Sequence, residues 1–407
     1  MTDIERQLAV FKRGAAEILP SEGELIERLK ENRRLKIKLG VDPTAADLHL
    51  GHTVPLLKLR QLQELGHEIY FLIGSFTAQI GDPSGQKETR PELSESQVME
   101  FAKTYTDQVF KVLDKTRTKI VYNGSWLSAI GLKDVIKLMA KTTLARILER
   151  DDFAERYKQG QPIHLHELLY SLLQGYDSVV LNADVEVGGT DQRFNLLMGR
   201  QIQVSAGQKP QICLLLPLLE GTDGTMKMSK THGNYVGIQE EPRLMFGKLM
   251  SIPDKLMIRY FELLTDVPLE EIRTIERRWG EGEIHPKEVK KNLAFEITKI
   301  YHGNEAASQA QKDFERVFEK RDELGVPDDI EEITLESDQL RSNEIQISAL
   351  INLTGILKSK SEIRRMIKQG GVRVNGEKVS DEYARIKVKE GDVIRIGKSH
   401  FKRIKIK

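Results

Sequence analysis

Cysteine is almost missing from this chain. Cys213 stands alone among 407 residues, which excludes an internal disulfide and any zinc site built on several thiolates. Long apolar runs are missing too. The longest, Ile212 to Leu219, is cut by Pro217 and falls far short of the roughly 20 residues that span a bilayer, so no membrane partner is expected. Met1 to Arg6 mixes both charge signs without an apolar core, so no export signal is read there and a cytoplasmic setting is expected. Repeats and low-complexity tracts do not occur, and at roughly 150 residues per domain the length implies two or three domains.

The net charge is only +1, but it is unevenly spread. From Glu344 onward 16 basic residues stand against 7 acidic ones, leaving 46 basic against 54 acidic before it. A basic end on an acidic body suggests a polyanion held by that end.

The first third alternates strand-like and helix-like stretches, the mark of strand-helix-strand units in a parallel sheet. Leu35 to Val41 and Ile69 to Ile73 read as strands, and Thr53 to Leu65 as the helix between them, with Gly66 as its stop. The expected fold is α/β: a Rossmann-like parallel-sheet domain over residues 1–235, with a helical insertion near 135–160. An α-helical domain over 236–321 follows, then an acidic linker over 322–343 and a small α+β module over 344–407. Long helical patterns at Arg243 to Leu264, Pro286 to Tyr301 and Ala306 to Lys320 support the helical domain.

The strongest local signal is Gly40-Val41-Asp42-Pro43-Thr44-Ala45-Ala46-Asp47-Leu48-His49-Leu50-Gly51-His52, which leaves a strand and opens a helix. The first amides of such a helix can receive phosphate. Two histidines three residues apart can stabilise charge building on a triphosphate, although alone they also suit a capping turn or a metal pair. Lys227-Met228-Ser229-Lys230-Thr231 follows the turn Gly221-Thr222-Asp223-Gly224 and reads as a basic flap. Tyr170, Gln174 and Asp177, spaced i, i+4 and i+7, fall within roughly 60° of one helical face, amid Leu168, Leu169, Leu172 and Leu173. They suit a pocket wall or a solvated stripe.

Together these strings resemble the class I aminoacyl-tRNA synthetases, with Leu50 replacing the isoleucine of the "HIGH" signature and the lysine segment matching "KMSKS". The resemblance extends over nearly the whole chain and is strongest to the tyrosine-specific branch in its second bacterial subgroup. It implies His49, His52, Lys227, Lys230 and Thr44 as catalytic residues. It implies Asp42, Gly51, His52, Gly188, Gly189, Asp191, Lys227 and Lys230 around ATP. Lys38, Asp82, Tyr170, Gln174, Asp177 and Gln192 would surround tyrosine, with Arg90 on the pyrophosphate side. Three positions depart from better-known members: Lys38 replaces a tyrosine, Glu186 a glutamine and Gln86 a lysine.

The tail, Ser361 to Gly376, resembles the S-four type RNA-binding module, in which Arg364, Arg365, Lys368 and Arg373 would meet tRNA phosphates. The resemblance further implies ATP carrying Mg²⁺, no protein-bound metal, tyrosine and tRNA as partners, and a homodimer. The rivals are a tryptophan-specific enzyme, a noncatalytic RNA-binding descendant and a small-molecule nucleotidyltransferase.

Overall fold

The computed structural model describes residues 2–43, 47–83, 94–318, 330–335, 344–357, 359–397 and 400–407. These form two compact units, one of residues 1–239 and 252–293, the other of 240–251 and 294–407.

The first unit is built on a six-stranded sheet: β1 (Glu17–Leu19), β2 (Lys36–Val41), β3 (Glu68–Ile73), β4 (Thr118–Tyr122), β5 (Val185–Gly189) and β6 (Ile212–Leu216). Their spatial order is β1-β6-β5-β2-β3-β4, with β1 antiparallel at one edge and all other pairings parallel. Helices cover both faces of such a sheet, so its strands are largely apolar: all five residues of β6 are buried. From β2 the chain winds outward through β3 and β4, then returns to start β5 on the other side of β2. That reversal opens a crevice at the carboxyl ends of β2 and β5, where open parallel sheets take their ligands.

Two helices frame the crevice. Leu50–Glu64 is the next helix in the chain after β2, and Glu167–Leu181 ends where Asn182 adopts a left-handed conformation (φ 48°). Glu167–Leu181 lies close against helix Arg193–Ser205 because two glycines meet there: a Cβ on Gly175 would sit 3.3 Å from the Gly199 backbone. The expected insertion consists of three short helices, Leu132–Met139, Leu144–Ile147 and Asp151–Lys158.

The helical region divides differently from the expected boundary at 235/236. Pro253 starts a new turn, so the single helix expected over Arg243 to Leu264 is two, Pro242–Met250 and Met257–Leu264. The second of these belongs to the first unit. The Arg13 guanidinium donates to the carbonyls of Phe261, Glu262, Thr265 and Val267, satisfying its carboxyl-terminal turn.

Helix Pro286–Phe318, whose residues from 294 onward belong to the second unit, is interrupted at Gly303 (φ 84°). The carboxyl-terminal module holds β7 (Glu332–Leu335), β8 (Glu344–Gln346), β9 (Val372–Val374), β10 (Glu377–Val379), β11 (Arg385–Lys387), β12 (Val393–Ile396) and β13 (His400–Ile406). The larger sheet runs β10-β9-β12-β13-β7, and β11 pairs with β8. Asn375 and Gly376, both at positive φ, make the two-residue hairpin between β9 and β10. Part of the stretch expected to be a linker is thus a strand: β7 runs parallel to β13, and its Ile333 and Leu335 enter the core with Ile363, Ile367, Ile394 and Ile404. Alternation of polar and apolar residues in Glu332–Leu335 is a strand signal that the acidic composition around it obscured.

Candidate functional site

The crevice encloses about 320 Å³, lined among others by Lys38, Asp42, Gly51, His52, Asp82, Tyr170, Gln174, Asp177, Gly188, Gly189, Asp191, Gln192 and Lys227. Residues scattered over 190 positions of sequence are therefore brought to one cavity. His49 lies behind His52, and Lys230 reaches Asp47 at 3.3 Å. Thr44, Gln86 and Arg90 fall outside the described residues.

His49 caps helix Leu50–Glu64. Its Nδ1 accepts the Gly51 amide at 3.2 Å, while its own amide donates to Nδ1 of His52 at 3.2 Å. A neutral imidazole whose Nδ1 accepts carries its proton on Nε2. Burial, the adjacent imidazole and Lys230 push His49 down to about 3, and burial with Lys230 pushes His52 down to about 4. Both rings are thus neutral N–H donors near pH 7. Glycine at position 51 leaves the site uncrowded, since a Cβ would lie 3.0 Å from the His49 ring and 3.5 Å from Met228.

The lysine segment is pinned from below. Met228 is buried and its amide donates to the Leu219 carbonyl at 2.7 Å. The Ser229 amide donates to Asn234 Oδ1 at 2.9 Å, and Asn234 Nδ2 donates to the Lys227 carbonyl at 3.2 Å and to Asp223 Oδ2 at 2.9 Å. The backbone is anchored while the two ammonium groups stay free of it. Lys227 partly offsets the burial that raises the pKa of Asp191. Beside them Gly188 and Gly189 leave little room for a side chain: a Cβ would meet Leu196 at 3.1 Å in one case and Asp191 Oδ1 at 2.5 Å in the other.

At the floor, Asp177 is held by Trp126 Nε1 on Oδ1 (2.8 Å) and Asn123 Nδ2 on Oδ2 (3.2 Å). Burial pushes its pKa up to about 6 against the pull of Lys38 and these two donors. Asn123 also donates to Thr77 Oγ1 (3.0 Å), which donates to Asp42 Oδ1 (2.8 Å), and Asp42 Oδ2 accepts from the Tyr170 hydroxyl (2.8 Å). One continuous polar chain therefore joins Tyr170 to Asp177. Gly74 makes room for it, because a Cβ there would fall 1.9 Å from Asp42 Oδ1. On the other wall Gln192 donates to Asp82 Oδ2 (2.7 Å) and is held by Asn195 (2.9 Å), itself fixed by the buried Arg150 (3.0 Å). Lys38 lines the cavity but turns its ammonium to Glu186 at 3.0 Å.

Sequence reading missed Asn123, Trp126, Thr77, Asn195 and Arg150. Only Asn123-Gly124-Ser125-Trp126, directly after β4 at a strand's carboxyl end, carried a usable signal.

In the carboxyl-terminal module, Arg364, Arg365 and Lys368 are exposed on helix Lys360–Lys368, opposite buried Ile363 and Ile367. Arg364 and Lys368 both reach Glu382, at 2.9 and 3.5 Å. Arg373 is exposed on β9 and donates to the Gly376 carbonyl at 2.9 Å.

The family model for tRNA synthetases class I (W and Y) matches residues 30–319, and that for the S4 domain matches 349–394. The tyrosine–tRNA ligase of Aquifex aeolicus is 52% identical over 400 residues, covering 98% of this chain and 98% of its own. That of Haemophilus influenzae is 51% identical over 406 residues, covering 100% and 98%. The crystal structure of tyrosyl-tRNA synthetase complexed with L-tyrosine from Archaeoglobus fulgidus superposes with a TM-score of 0.62 at 24% identity, covering 76% of this chain and 99% of that one; at that identity the likeness speaks for the fold alone.

Proposed function

The chain belongs to the class I tRNA synthetases of the tryptophan and tyrosine group, and from that premise we propose that it activates tyrosine with ATP and transfers it to the 3′ end of a tyrosine tRNA. The observation that carries the choice of amino acid is Asp177: a buried carboxylate, fixed by Trp126 and Asn123, waiting at the cavity floor as an acceptor for a phenolic hydroxyl. An indole ring has its donor elsewhere, and relatives carrying the tyrosine–tRNA ligase name match the chain end to end.

In this reading the tyrosine carboxylate attacks the α-phosphate of ATP and pyrophosphate leaves; a terminal ribose hydroxyl of tRNA then takes the aminoacyl group from the adenylate. No covalent enzyme intermediate is needed. Tyr170, Gln174 and Asp82 hold the α-amino group, Gln192 orients the carboxylate, and Asp191 takes ribose hydroxyls where Gly188 and Gly189 let the nucleoside approach. Neutral His49 and His52 present Nε2–H to the triphosphate, and Lys227 and Lys230 close on charge that grows only as the α-phosphate becomes pentavalent. Mg²⁺ carried on the nucleotide supplies further neutralisation. Catalysis is positioning and charge stabilisation.

Arg364, Arg365, Lys368 and Arg373 meet tRNA phosphates in this reading. A homodimer is part of it, supported by Leu132, Ile136, Met139 and Leu144, large apolar side chains left exposed on neighbouring insertion helices. So is a cytoplasmic setting; among the described residues no helix is long and apolar enough to cross a membrane. Amino-acid-dependent pyrophosphate exchange, run with all twenty amino acids, should respond to tyrosine alone. Exchange driven by tryptophan would refute it.

A further inference from the structure

The position where better-known relatives carry a tyrosine near the substrate hydroxyl holds Lys38, and its geometry points away from that task. An ammonium has three protons to donate. All three are taken: by the Gln174 carbonyl at 3.1 Å, Ser178 Oγ at 2.8 Å and Glu186 Oε1 at 3.0 Å. Lys38 is 0% and Glu186 1% exposed, so no water competes for these bonds. Nothing on Lys38 is left for a phenol.

Glu186 is engaged as fully. Its Oε1 also accepts from Gln174 Nε2 at 3.1 Å, and its Oε2 accepts from Ser178 Oγ at 3.1 Å and from Gln211 Nε2. An ionised carboxylate only accepts, so the Gln174 amide must turn its NH₂ end toward Glu186 and its carbonyl oxygen away from it, and Gln174 is itself part of the cavity wall. A glutamine at 186 could donate or accept, and would leave the Gln174 amide free to flip. The donor sequence is consistent throughout: Lys38 donates to Ser178, Ser178 to Glu186, Gln174 to Glu186.

We propose that Lys38 and Glu186 form a polarity-setting pair in which the buried ammonium keeps Glu186 an acceptor, and Glu186 fixes the Gln174 amide so that its oxygen faces the α-ammonium of the substrate. This rests on the assignment of Gln174 to the amino group. Lys38 and Glu186 are positioning residues here, and recognition of the hydroxyl is left to Asp177.

The test compares two ligands on three proteins: wild type, Glu186→Gln, and Lys38→Met combined with Glu186→Gln. Replacing both members of a buried pair avoids stranding a lone charge, so the double variant should fold. Binding of tyrosine and of its des-amino analogue, 3-(4-hydroxyphenyl)propionate, is measured by calorimetry, and tyrosine/phenylalanine selectivity by pyrophosphate exchange. In both variants tyrosine affinity should fall by about tenfold or more, as for one lost hydrogen bond to a charged group, while the des-amino analogue binds as to wild type. The tyrosine/phenylalanine ratio should stay within about threefold of wild type, because Asp177 is untouched.

Equal weakening of both ligands would make the pair merely structural, and no weakening would remove its role; either overturns the proposal. So would a hundredfold fall in the tyrosine/phenylalanine ratio, which would place Lys38 on the hydroxyl. The wild-type arm separates the two levels: a wild type that does not select tyrosine overturns the functional reading itself, whereas failure in the variants alone overturns only the pair.

Discussion

The cavity and the basic face of the carboxyl-terminal module use charge in opposite ways. At the cavity floor few charges are used, Lys38, Asp177 and Glu186 are all buried, and each oxygen of Asp177 and Glu186 has a named donor. On the module the charges are many and exposed: Arg364 and Lys368 share one carboxylate, Glu382, with side chains 60% and 68% exposed. Burial makes each interaction strong, directional and indifferent to salt, while exposure makes each weak, additive and screened. Discrimination between small molecules belongs to the first design, and holding a long polyanion to the second.

The comparison is broken most severely at Asp177. Asp177→Ala should abolish most of the preference for tyrosine over phenylalanine, which in a site built to bind a hydroxyl reaches 10⁴ to 10⁵, a figure that comes from enzymes of this very type. The ratio of kcat/KM values for the two amino acids measures it, and a ratio unchanged from wild type would remove the aspartate from its role. Next come the lysines of the pinned segment. Lys227→Ala and Lys230→Ala should each slow adenylate formation by about 10² or more in single turnovers, with tyrosine affinity nearly constant, because their contacts strengthen only in the transition state. Weaker tyrosine binding at an unchanged rate would contradict this.

A third effect uses pH. Burial raises the Asp177 pKa to about 6, so the ionised acceptor is present above that value and lost as pH falls through it. The tyrosine/phenylalanine ratio should therefore be flat from pH 8 to 7 and fall by about tenfold by pH 5; a flat ratio throughout would count against a titrating acceptor. The smallest effects belong to the module. Arg365→Ala should raise KM for tRNA only a few-fold, leave pyrophosphate exchange unchanged, and lower the slope of log KM against log salt by about one. An effect on exchange would mean that the two designs are not separate.

Periodicity and turn chemistry made the parallel sheet around β2 legible, because β2, β3 and the helix between them each carry a local signal. The cavity's first contacts were legible through motif spacing: Tyr170, Gln174 and Asp177 do share a face and line one cavity. What holds those contacts was not. Trp126, Asn123 and Arg150 act across the fold, 45 to 54 positions from their partners, and no local pattern encodes such a pairing. Lys38 lines the cavity, and Glu186 or Asp177 could be named from the sequence as its carboxylate neighbour, but only packing shows that the ammonium turns to Glu186. Two boundaries also escaped, one at Pro253 inside an unbroken apolar pattern and one at β7, whose partner β13 lies at the far end of the chain.

That last pairing has a temporal consequence. Chains emerge amino terminus first, and domains generally fold as they emerge. The six-stranded sheet and the helices that complete the activating unit are all encoded before residue 294. β7 emerges soon after, yet the strand it lies beside is made after the other strands of the module, and Ile333 and Leu335 lack their neighbour Ile404 until then. A nascent chain would therefore gain its amino-acid chemistry before its RNA-binding module can close, and a chain cut before β13 would keep the former and lose the latter.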